Sequence, residues 1–209
     1  SLQKKLPKEE IKDIINFGWF MSGGYNLPWF PAWGIEFDTP IGNLQKIIYK
    51  FNKIRPNNRW LLVRFDSVAS EFHLWSTWIS VVTKEINDAM IAKSVDVEFQ
   101  RLLSGNRQIS KAFEIVGLSK EDSCAWIISI PKISEQLNLE LSVISRNSYL
   151  DLDDISTELI RGLEAKLLPK RPMPSINGLK KMGIETKNQD FSSKEKEELL
   201  IGAMVLTDI

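Results

Sequence analysis

The chain has 209 residues, 43% hydrophobic and 26% charged, a balance that suits one packed domain with an extension and excludes a disordered chain. Lys plus Arg and Asp plus Glu number 27 each, so no global positive excess drives non-specific nucleic-acid binding, and any such contact must be local or shared with a partner. A single cysteine (Cys124) and a single histidine (His73) exclude an internal disulfide and a Cys/His zinc site built within the chain.

In chain order, Lys8 to Ile15 alternates charge and hydrophobe at helical spacing and gives way to a Gly-, Pro- and aromatic-rich stretch holding Trp19, Phe20, Tyr25, Trp29, Phe30 and Trp33. Gly34 to Phe37 reads as a short strand, and Leu44, Ile47, Ile48 and Phe51 mark one face of a helix ended by Pro56-Asn57-Asn58. Trp60 to Phe65 is β-rich, so the domain opens β-α-β. A long helix is predicted from Glu71 to Ala92, with Leu74, Trp78, Ile79, Val82, Ile86 and Met90 as its apolar stripe. Ser94 or Asp96 caps a shorter helix that Gly105 interrupts. The next helix is predicted from Asn106 to Val116, its stripe made by Ile109, Ala112, Phe113 and Val116, with Gly117 placed for a left-handed stop.

Cys124 to Ile130 is a second β-rich run in which Cys124 acts as a small buried hydrophobe. Pro131 is placed to open one helical turn, and Leu139 to Ser145 alternates as a further strand. A helix follows from Asp153 to Ala165, and then Lys166 to Pro174, whose three prolines predict an exposed loop without regular structure. A short helix ends at Met182, and Ser192 with Glu195 forms a capping box opening a terminal helix to Leu206. Apolar runs such as Ala125 to Ile130 fall far short of the roughly 20 residues that cross a bilayer. Lys4, Lys5 and Lys8 with Glu9 and Glu10 lack a signal-peptide pattern, so a cytoplasmic location is expected.

Few residue groups suggest chemistry. Gly23-Gly24 lacks the strand-to-helix context of a phosphate loop. His73 beside its helix's apolar stripe is either structural or partner-facing, or a direct binding group able to donate or accept at neutral pH. Asp151, Asp153 and Asp154 could bind a hard cation or act with His73 in a small enzyme, but at a predicted helix start capping accounts for them. Trp60, Trp75, Trp78 and Trp126 fall in regular elements and read as core. Trp19, Trp29 and Trp33 either pack an extension onto the domain or offer a partner or RNA surface. Arg107 and Gln108 occupy the first turn of their predicted helix, where free N–H groups and a planar guanidinium suit an anion. Lys111 follows, and Lys93 and Arg101 flank the preceding helix. Together they form a local basic rim around an apolar lip at Ile109, or ordinary solvated surface.

The segment Ala92-Lys93-Ser94, then Val97 to Ile109 with its Arg107-Gln108-Ile109, then Ala112 and Val116-Gly117-Leu118, resembles the central motif of the kinase-binding subunit of the KEOPS complex, the TPRKB family, in its archaeal type. Phe65-Asp66-Ser67 followed by His73, the late Lys181-Met182-Gly183-Ile184 and the terminal Ala203 to Ile209 fit the same pattern. The likeness spans residues 34–209, leaving 1–33 as an aromatic-rich N-terminal extension, and the Pro169 to Pro174 loop also departs from the pattern. It implies a single α/β domain of the α+β kind, a small, mostly antiparallel sheet surrounded by helices. It further implies a non-catalytic subunit, without cofactor, that binds the complex's small atypical kinase/ATPase. That complex makes threonylcarbamoyl-adenosine in transfer RNA, which the subunit recruits through its unpaired CCA tail. By the same resemblance, Arg107 contacts phosphate or a base edge, Gln108 hydrogen-bonds a base and Ile109 gives an apolar wall, with Lys111, Lys93, Arg101 and His73 as further members of the rim. The alternative is a protein-binding regulator of the kinase without direct RNA contact.

Overall fold

The computed structural model describes residues 29–132, 146–185 and 191–206. Strand β1 (Ala32–Phe37) runs through the middle of a four-stranded antiparallel sheet, ordered β2-β3-β1-β4, with β2 at Trp60–Arg64, β3 at Cys124–Ser129 and β4 at Ala165–Leu168. Both faces of the sheet are covered, which is why β3 reads Ala-Trp-Ile-Ile without a polar alternation.

On one face, Ala32, Leu61, Val63, Trp126 and Ile128 meet helices α2 (Glu71–Ile86), α3 (Val95–Leu103) and α4 (Ile109–Val116) through Leu74, Trp75, Phe99, Leu103 and Val116. On the other, Trp33, Ile35, Phe37 and Ile127 meet α1 (Leu44–Ile54) and α5 (Arg146–Gly162) through Phe51, Leu159 and Ile160, with Leu163 just after α5. The period-2 strands and period-3.6 helices thus bury complementary faces in three layers, an α+β arrangement in a single domain. A small third cluster of Ala69, Leu179 and Leu200 fastens α6 (Ile176–Lys181) and α7 (Ser193–Leu206) beside the 3-10 turn Phe65–Ser67 that follows β2.

Several boundaries differ from the sequence reading, each for a local reason. The long helix stops at Ile86, because Asp88 adopts φ 52° and the amides of Asp88 and Ala89 close back on the carbonyls of Glu85 and Lys84. Met90 therefore packs on the core from outside the helix. Helix α5 begins at Arg146 rather than Asp153, so the aspartates are not its cap; the Asp153 carboxylate accepts the Trp33 indole N–H at 2.7 Å. Lys166 to Leu168 is an edge strand rather than loop, paired through Ile35 with Leu167 to the free side of β1.

The loop that follows has no regular structure over 169–175 and leaves Pro169, Lys170 and Met173 exposed, as expected, but Pro172 is buried and Arg171 is tied down. Arg171 donates to Glu71 at 2.6 Å and to the Phe30 carbonyl at 2.9 Å, with its guanidinium 5.0 Å from the Trp29 ring. Trp29 stays largely exposed, whereas Trp33 is buried in β1 and stacked on Trp60. Gly117 is extended at φ −68°, not left-handed. Cys124 is half-buried, and the Pro131 carbonyl accepts the Trp78 indole N–H at 2.9 Å, while the helical turn expected to open at Pro131 runs into residues outside those described. The predicted strand Leu139 to Ser145 and the helix and aromatics before Trp29 lie outside the described residues.

Candidate functional site: the Gly105 turn and the α4 start

Helix α3 ends because Gly105 takes φ 62°, a left-handed conformation costly for residues with a Cβ. Gly105 N–H reaches the Leu102 carbonyl at 2.9 Å and Asn106 N–H the Arg101 carbonyl at 3.3 Å, so the last carbonyls of the helix are satisfied by the turn itself. The Asn106 side chain then accepts Gln108 N–H at 3.0 Å, a local turn that makes Gln108 the N-cap and delays the helix to Ile109. Arg107 and Gln108 consequently stand in the connecting loop rather than in the first helical turn. Both are exposed; Ile109 behind them is half-buried. Lys111 is exposed on α4 and pairs with Glu114 at 2.6 Å. Phe113, which the helical stripe assigns to the core, is 42% exposed one turn beyond Ile109.

The remaining members of the predicted rim separate. Lys93 is exposed, but Arg101 is fully enclosed. Its guanidinium donates to Glu98 at 2.7 and 3.2 Å, and both side chains have no solvent exposure. Burial pushes the Glu98 carboxyl up, but the hydrogen bonds from Arg101 and the Ala92 amide, with the Arg101 charge, outweigh it and hold the carboxyl below its usual range. Because Ala92 N–H reaches Glu98 at 2.9 Å, the buried pair ties the turn carrying Lys93 to α3. The Arg101 carbonyl also accepts the Ser104 hydroxyl at 2.7 Å, alongside the Asn106 amide. Arg101 thus supports the loop from below rather than lining it. An ionic pair three residues apart on a helix, Glu98 and Arg101 beside the apolar Phe99, Leu102 and Leu103, is the sequence signal that could have shown this.

His73 is also wholly buried. Its Nδ1 accepts the Ala69 amide at 3.3 Å, which places the proton of the neutral ring on Nε2; that atom faces the Leu103 region without a well-formed hydrogen bond. Loss of solvent lowers its pKa to about 4, against a smaller opposing effect of the Leu103 carbonyl. His73 therefore packs at the α2–α3 contact, just below the turn, as a neutral side chain. It stands in the helix layer opposite the one that carries Asp151, Asp153 and Asp154 on α5, so the fold does not assemble these groups into an acid/base pair. Among the described residues no cluster of three or more His, Cys, Asp or Glu side chains is arranged to hold a metal ion.

Beside the loop runs an open groove of about 490 Å³, lined by Asn106, Lys111, Glu114 and Ile115 on one side and Lys181, Met182 and Gly183 on the other. The second wall is placed by Gly178 on α6, where a Cβ would meet the backbone oxygen of Asp66 at 2.3 Å; only a glycine lets the helix lie so close. The site therefore presents exposed basic and amide groups, a partly exposed aromatic and a groove over a rigid buried support.

The model of the kinase-binding protein CGI-121 family matches residues 39–207. The chain belongs to this family. The match takes in every element from α1 to α7, the Gly105 loop included. No curated protein matches the chain. Membership carries a kinase-binding role, of the kind filled by a regulatory subunit. No helix among the described residues is long and apolar enough to cross a membrane.

Proposed function

We propose that this CGI-121 family protein is a non-catalytic subunit of the KEOPS transfer-RNA modification complex, binding its small kinase/ATPase and recruiting transfer RNA through the unpaired CCA tail. The kinase part follows from the family. The observation that carries the RNA part is the placement of Arg107 and Gln108 on an exposed loop that two turns and a buried ion pair make rigid. A pre-organised loop with a guanidinium, an amide and an adjacent apolar side chain suits phosphate, base edge and base face of a splayed nucleotide. In this reading Arg107 and Gln108 make the polar contacts, Ile109 and Phe113 give the apolar surface, and Lys111 and Lys93 supply long-range attraction. Arg101 and His73 act beneath them by holding the loop. The chain's neutral overall charge fits a subunit that grips one end of an RNA while partners hold the rest. The protein works in the cytoplasm, where its substrate RNA is found.

The test is co-purification with the kinase subunit, followed by gel-shift comparison of intact and CCA-trimmed transfer RNA. Preferential binding of the intact RNA, weakened by Arg107→Glu or Ile109→Glu with kinase binding retained, is the expected result. Equal binding of both RNAs, or unchanged affinity in both variants, would leave a regulator of the kinase and remove the RNA role.

A further inference from the structure

Lys181-Met182-Gly183-Ile184 enters the sequence reading only as a point of likeness, yet the fold brings it against the α4 start. Helix α6 ends as α3 does: Gly183 has φ 76°, its N–H reaches the Lys180 carbonyl at 3.0 Å, and Ile184 N–H reaches the Leu179 carbonyl at 3.0 Å. Two helices that stop on left-handed glycines thus face one another across the groove, with Asn106 at one wall and Gly183 at the other. Asn106 lines the groove and also holds the Gln108 amide, so groove and loop are contiguous.

Building on the RNA reading above, we propose that this groove is the second half of the RNA site. It would seat the phosphodiester and base of an unpaired nucleotide next to the one met by Arg107 and Gln108, with Lys181 and Met182 as its previously unassigned contacts. The volume falls within the roughly 300 to 1,000 Å³ of small-molecule sites. Met182 gives it a half-buried apolar edge on which a base can pack, while Ile115 closes the floor from the core at 8% exposure. Lys111 and Lys181 supply one cation from each wall.

Each cation is held by a carboxylate: Lys111 by Glu114 at 2.6 Å, and Lys181 by Asp66 at 3.0 Å. The side chains of these pairs are 54% and 65% exposed in the first, 36% and 34% in the second. Water screens such pairs, so a phosphate can take either lysine from its carboxylate. Glu114 is the one acidic lining residue, and its charge opposes an anion in the groove.

The experiment titrates the full-length chain with intact transfer RNA at a series of salt concentrations, comparing Lys181→Ala, Asp66→Asn, Glu114→Gln and Arg107→Glu. Lys181→Ala is expected to weaken binding and to lower the log–log salt slope by about 0.7, the loss of one single-strand phosphate contact. Asp66→Asn should not weaken binding, and Glu114→Gln should tighten it. If Lys181→Ala and Asp66→Asn weaken binding alike, Lys181 acts only through its ion pair and the groove proposal falls. It falls too if Lys181→Ala and Glu114→Gln leave affinity and slope unchanged while Arg107→Glu weakens binding, a result that preserves the RNA reading. No binding by the unmodified chain overturns both.

Discussion

Arg101 and Arg107 stand on either side of the Gly105 turn, in opposite surroundings. Arg101, closed off from water against Glu98, anchors the turn through its own backbone carbonyl. Arg107 is exposed on the loop above. A buried charge survives only with its partner in place, so the lower region commits its ionic groups to the fold, whereas an exposed charge contributes little to stability. The same loop is thus rigid from below and open from above, a combination suited to recognition at low entropic cost.

The largest effect that can break this contrast is on Glu98. Glu98→Ala would leave the Arg101 guanidinium buried without its carboxylate and remove the acceptor of the Ala92 amide, a change expected to cost about 3 to 5 kcal/mol in denaturant unfolding. Replacing both partners, Glu98→Leu with Arg101→Met, should recover the part due to the unpaired charge, since an apolar pair of similar volume carries no desolvation penalty, while the Ala92 amide still lacks its acceptor. A Glu98→Ala cost below about 1 kcal/mol, the range of exposed pairs, would show that the buried pair supports nothing.

The next effect is pH-dependent. His73 has a pKa near 4 in the folded chain against 6.5 when unfolded, so between these values the unfolded chain binds more protons. Its contribution is fully present above pH 6.5 and is lost as the pH falls through about 4, amounting to roughly 3 kcal/mol at most. Glu98, whose carboxyl is held low, loses its contribution in the same direction but at more acid pH. Urea midpoints measured from pH 7 to pH 4 should therefore fall in the unmodified chain and fall much less in His73→Asn. Parallel curves would mean that His73 is not the group responsible.

Gly178 offers a smaller effect at the groove's far wall. A methyl group there would overlap the Asp66 carbonyl, and Gly178→Ala should cost about 1 to 3 kcal/mol in thermal unfolding as α6 is forced away. An unchanged melting temperature would show that α6 is not docked so closely.

How much of this was legible in the sequence follows from which forces act locally. Leu44, Ile47 and Phe51 of the predicted helix stripe, the β-rich runs and the Ser192 and Glu195 capping box depend on neighbours in the chain, and the fold realises them, whereas Ile48 of the same stripe is 43% exposed. Strand β4 was hidden because Lys166-Leu167-Leu168 has little pattern of its own; the free edge of β1 recruits it. The burial of Arg101 and His73 depends on how α2 and α3 meet, which periodicity reports as a face but not as a cover. At the site itself, Arg107-Gln108-Ile109 stood out as a group, but the Asn106 side-chain turn that sets the start of α4 after Gln108 did not, nor did the second wall at Lys181.

The smallest expected effect is on the exposed side, where the contrast is most easily lost. Arg107→Ala and Lys111→Ala should each change unfolding free energy by no more than about 0.5 to 1 kcal/mol. Lys111 gives up only its exposed pair with Glu114. Arg107 is exposed, where water screens whatever its side chain meets. Chemical denaturation can resolve the difference from Glu98→Ala. A loss in either alanine variant comparable to that of Glu98→Ala would make the loop's charges part of the fold. Near-neutral stability instead makes any loss of RNA affinity in Arg107→Glu readable as a lost contact, because the support beneath the loop is left intact.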